Sequence, residues 1–92
     1  KLKIDTANLE KTRVQFVGLS NDNSIFEDES RLTIYQLKAD RYLNIGQYIW
    51  CLEESLVIPK LRAGDYRFVL EMKSGQLLTY RVNSEQNKIL LA

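Results

Sequence analysis

The sequence predicts an all-β domain, an antiparallel sandwich of seven or eight short strands. Three observations predict it. Apolar residues recur at every second position, as in Tyr66, Phe68, Leu70 and Met72, which is the period of a strand with one buried face. Clusters of Asn, Asp, Ser and Gly interrupt that alternation at spacings of about 8 to 12 residues. Several of the alternating runs are two-faced, with one side polar, which favours a sandwich over a barrel.

The elements follow in order. Leu2 and Ile4 share one face of a short opening strand. "DTANLEKTR", residues 5 to 13, competes as helix, with Asp5 or Thr6 as cap and good helix formers behind it. It is too short and too weakly amphipathic for more than one turn. Val14 and Phe16 lead "TRVQFVG", and the polar cluster "SNDNS" at 20 to 24 ends that run. Leu32 and Ile34 lead "RLTIYQLK", and "NIG" at 44 to 46 reads as the next turn. In "QYIWCLE", Tyr48, Trp50 and Leu52 face one way while Ile49 and Cys51 face the other. "SLVIPK" holds Pro59, which has no N–H for a ladder, so this is an edge strand or a strand end. "DYRFVLEM" and "QLLTYRV" flank "KSG" at 73 to 75 as a hairpin, and Ile89 and Leu91 mark a closing strand.

At 92 residues the chain suits a single domain, residues 1 to 92, and its 45% hydrophobic content supports one core without metal or disulfide. The chain starts at Lys1 rather than Met, and is expected to be a segment of a longer protein. A net charge of +1 gives no strong field to recruit a nucleic acid or a membrane surface. Arg31, Lys38 and Arg41 form only a loose basic cluster. No apolar run approaches the ~20 residues needed to span a bilayer, so no direct membrane insertion is expected. Cys51 is the single cysteine, and its apolar neighbours suggest a core filler. With no histidine, neither Cys–His and Ser–His–Asp nucleophiles nor the usual Cys/His zinc sites can be assembled.

"LRAGDYRF", residues 61 to 68, raises a sharper question: why a glycine two places before a tyrosine, between two apolar anchors? In immunoglobulin-like sandwiches a tyrosine near the start of one strand bonds its hydroxyl to backbone a few residues upstream. On that reading Leu61 plugs the core and Gly64 takes a conformation that a Cβ would penalise. Tyr66 turns inward to pin the corner, and Phe68 continues the buried row.

Taken together, "RLTIYQLKADRYLNIGQYIW" and "VIPKLRAGDYRFVLEM" resemble the triple-tyrosine (Y_Y_Y) domains of bacterial two-component sensors. Tyr35, Leu37, Trp50, Leu61, Gly64, Tyr66 and Phe68 carry the likeness, within residues 31 to 72. Fibronectin-III-like and macroglobulin-type domains share much of the pattern. Arg62-Ala63 departs from the sensor versions, which often place two prolines before the glycine. The resemblance implies an immunoglobulin/fibronectin-III-like β-sandwich in a larger extracytoplasmic bacterial protein, at the periplasm or cell surface. Such a module acts by contact, with neighbouring domains of its own polypeptide or a homodimer mate as partners.

Other candidate sites are weaker. "SNDNSIFEDES" gathers Asn21, Asp22, Asn23, Glu27, Asp28 and Glu29, oxygen ligands of the kind calcium takes. It lacks a glycine at the sixth place and regular acidic spacing, so a solvated loop is the expectation. Glu53-Glu54 and Asp28-Glu29 are adjacent pairs, and neighbours on a strand point to opposite faces. No catalysis and no cofactor are therefore expected. Tyr35, Tyr42, Tyr48, Trp50 and Tyr80 suggest the alternative of a glycan- or peptide-binding module. Trp50 is expected in the core, leaving Tyr42, in turn-rich "ADRYLNIG", and Tyr48 as ligand contacts. Arg67 and Glu71, on the outward face of their strand, are the protein-contact candidates.

Overall fold

The computed structural model describes residues 2–5, 10–16, 29–84 and 88–91. They form β1 (Leu2–Asp5), β2 (Lys11–Phe16), β3 (Glu29–Lys38), β4 (Arg41–Cys51), β5 (Leu56–Pro59), β6 (Asp65–Glu71), β7 (Leu77–Asn83) and β8 (Lys88–Leu91). No helix occurs among the described residues. Within "DTANLEKTR", residues 6 to 9 lie outside the described set, and residues 11 to 13 belong to β2.

Two antiparallel sheets result, a three-stranded one in the order β1-β2-β5 and a five-stranded one in the order β4-β3-β6-β7-β8. Their inner faces meet in one core. Leu2, Ile4, Val14 and Ile58 come from the smaller sheet, and Leu32, Ile34, Trp50, Tyr66, Phe68, Leu70 and Val82 from the larger. The fold is thus all-β and sandwich-like. Strand β6 shows why alternation predicts it: Tyr66, Phe68 and Leu70 are buried while Arg67 and Val69 are only half-buried. Fully burying a side chain like Phe68 contributes about 1.5–3 kcal/mol.

One turn moves. The sequence predicts a break at "NIG", but Arg41–Cys51 is one continuous strand. The chain reverses instead at Ala39 and Asp40, with φ of 51° and 62°, and Lys38 pairs with Arg41. Two consecutive positive φ values make the kind of two-residue hairpin that follows the strand twist. The "NIG" chemistry is real but goes elsewhere. Ile34 pairs with Gly46 and Tyr35 with Asn44, so Ile45 is an extra residue, a β-bulge. The Asn44 Oδ1 accepts a hydrogen bond from the Gly46 amide at 3.0 Å, bonding its own backbone two residues on. That local bond stabilises a bulge as readily as a turn.

Pro59 ends β5, which borders the smaller sheet, as a proline requires. The "KSG" hairpin joins β6 to β7, with Gly75 at φ 94° and its amide bonded to the Met72 carbonyl at 2.9 Å. Cys51 corrects an expectation: it is only half-buried and stands outside the core cluster. The alternation that sends Trp50 inward sends its neighbour out.

Candidate functional site

The corner is built on five consecutive residues that carry the chain from β5 to β6. Lys60 donates its amide to the Glu10 carbonyl at 3.3 Å, and the Leu61 amide donates to the Thr12 hydroxyl at 3.2 Å. Thr12 lies on β2 and is fully buried, so this bond ties the crossover to the smaller sheet. The next residue is tied to the larger sheet. The Tyr66 hydroxyl donates to the Arg62 carbonyl at 2.7 Å, four residues upstream. Ser84, just beyond β7, donates its hydroxyl to the same oxygen at 2.6 Å and its amide to the Gly64 carbonyl at 3.0 Å. Leu61 and Arg62, adjacent in sequence, are thus fastened to opposite layers.

Gly64 has φ 151°, a value that side chains other than glycine's rarely adopt, although nothing lies within 4 Å of where a Cβ would stand. Its requirement is conformational rather than steric. Tyr66 is 3% exposed, Phe68 fully buried and Leu61 buried in the same cluster. Burial pushes the Tyr66 pKa up, against the pull of the Arg62 guanidinium. Burial raises Tyr80 likewise. Sequence reasoning missed Ser84, because a serine after a strand has no signature when its partner lies 22 residues away.

The outer face of the larger sheet holds the other candidates. The Arg67 guanidinium carbon sits 4.2 Å from the centroid of the Tyr42 ring, a cation–π contact between β6 and β4 across β3. The Arg67 Nε is buried with no hydrogen-bond partner among the described residues. Tyr42 is 39% exposed, but on a strand rather than in the predicted loop. Tyr48 is turned the other way: it packs against the core, with its phenol oxygen 2.9 Å from where a Cβ on Gly46 would stand. The structure therefore does not bring Tyr42 and Tyr48 onto one face.

Trp50 is buried and donates its indole N–H to the Glu54 carbonyl at 2.7 Å. Glu53 and Glu54 lie in the turn after β4, so the strand alternation used to separate them does not apply. Glu71 shares the outward face with Arg67 but stands four residues along β6, about 13 Å away by strand rise. It lines an open groove of about 210 Å³ with Glu29, Ser30, Arg31, Ile49, Met72 and Lys73. Of the oxygen-rich stretch 20 to 30, only Glu29 and Ser30 are described, and they open β3. Among the described residues no group of three or more Cys, Asp or Glu could hold a metal ion.

In comparisons with protein-family models, curated proteins and solved structures, nothing matches the chain.

Proposed function

We propose that this chain is a non-catalytic interaction module of a larger extracytoplasmic bacterial protein, one that docks, spaces or dimerises. The observation that carries the reading is the apolar character of β4, a border strand of the larger sheet. Leu43, Ile45 and Ile49 expose 46, 45 and 60% of their surface along it. Large apolar side chains grouped on one exposed element mark contact surfaces. The immunoglobulin/fibronectin-III-like assignment is supported by the strand order together with a tyrosine bonded to backbone at the start of β6. The triple-tyrosine resemblance and the extracytoplasmic location belong to the same proposal.

A glycan- or peptide-binding reading has one feature in its favour, the exposure of Tyr42. Against it, Trp50 is buried, Tyr48 packs on the core and Arg67 occupies one face of the Tyr42 ring. Calorimetric titration of the chain with the flanking domains of its own polypeptide tests the leading reading. Saturable binding weakened by Ile49→Lys supports it. No binding to those domains, together with no self-association, would overturn it.

A further inference from the structure

Among the described residues four strands border the two sheets, and three of them are guarded. β5 has four residues, ends in Pro59 and is followed by Lys60. β1 has four residues, exposes Lys3 and Asp5, and has the four-residue β8 beside it. Short length, charge, proline, bulges and cover are the devices by which sheet edges avoid pairing with other chains. β4 has 11 residues and no charged residue after Arg41. Among the described residues it bonds only to β3, and its register there slips once, at the Ile45 bulge, leaving Gly46 to Cys51 regular.

We propose that β4 pairs antiparallel with β4 of a second copy of this chain, so that one sheet runs through a two-fold dimer. The proposal rests on the interaction-module reading and names its partner. The charges that bracket β4 point to a second copy in this orientation. Arg41 opens the strand, residues 42 to 52 are uncharged, and Glu53 and Glu54 follow. Reversed, each copy brings its Arg41 beside the Glu53-Glu54 pair of the other, and the two-fold axis repeats the match. A parallel alignment would set like charges together at both ends, which is destabilising. Pairing consumes the one long edge strand among those described, so assembly closes at two and does not grow into a fibre. A strand-to-strand contact is at the small end of specific interfaces, so the dissociation constant should be on the order of 10 µM.

Sedimentation equilibrium of the 92-residue chain from about 1 to about 300 µM provides the test. The expected result is a monomer–dimer equilibrium with no larger species. Arg41→Glu and Glu53→Arg should each weaken it about tenfold, since the reversed pair occurs twice. The doubly reversed chain should return to within about threefold of the original. Ile49→Lys should abolish dimers while leaving the β circular dichroism spectrum intact. A chain that stays monomeric throughout would overturn the proposal, as would a dimer indifferent to all of these changes or one that grows into larger assemblies. Titration with the native flanking domains separates the two readings. A monomer that binds them refutes the dimer alone, whereas a monomer that ignores them refutes both.

Discussion

The hydroxyls of Tyr66 and Ser84 converge on one acceptor, the Arg62 carbonyl, at 2.7 and 2.6 Å. Each therefore insures the other. Tyr66→Phe leaves that oxygen bonded by Ser84 and should cost about 0.5–1 kcal/mol, as should Ser84→Ala. The double variant strips both bonds and should cost more than the sum, by about 0.5–3 kcal/mol of coupling. Urea unfolding of the four proteins measures the cycle. Tyr66→Ala also loses the buried ring and should cost about 3–5 kcal/mol. Strict additivity would mean that the two hydroxyls act separately.

Thr12 is fully buried, and its hydroxyl accepts the Leu61 amide at 3.2 Å. Thr12→Val keeps the shape and removes the acceptor, leaving a buried N–H without its bond. The expected loss is about 1–3 kcal/mol, read as a lower urea midpoint at unchanged slope. Thr12→Ser should retain most of that bond, while adding the smaller loss of a methyl group.

The hairpin between β3 and β4 is suboptimal in composition. Ala39 and Asp40 both adopt positive φ, which costs about 1 kcal/mol for an ordinary side chain. Replacing the pair with Asn-Gly, the favoured residues for such a turn, should raise stability by about 0.5–1 kcal/mol. A thermal melt that does not shift upward would contradict this account of the turn.

Alkaline stability should depend on Tyr66. Burial raises its pKa above the ordinary 10.0, so the folded protein holds that proton more tightly than the unfolded chain. The associated stability is fully present below pH 10.0 and is lost as the pH rises through the folded value. An ionised Tyr66 has no proton to donate to Arg62. Wild type should therefore match the pH dependence of Tyr66→Phe up to about pH 9 and lose stability faster than it as pH climbs above about 10, with Tyr80 contributing equally to both. Parallel pH profiles would remove Tyr66 as the source.

Much of this was legible in advance where local chemistry and tertiary structure agree. Strand β6 is an unbroken alternation bounded by Gly64 and the Gly75 hairpin, and all three signals point the same way. Pro59 likewise marked an edge. The β4 outer face was not legible, for a definite reason. Counting back by twos from the buried Trp50 sends Tyr48, Gly46, Asn44 and Tyr42 to the same side. The extra residue at Ile45 breaks that count, and Tyr42 emerges on the outer face beneath Arg67. A bulge is a negotiation between two strands, and one strand's sequence does not contain it. Ala39-Asp40 misled in the opposite sense, since neither residue advertises the turn as strongly as Asn44 and Gly46 do.

Because Leu61 holds to one layer and Arg62 to the other, the connector between them is riveted at both ends. Copies of a protein that trade arms need a linker able to swing open like a gate. This one has no slack to swing, so two molecules that meet should not trade β6 and β7 through it.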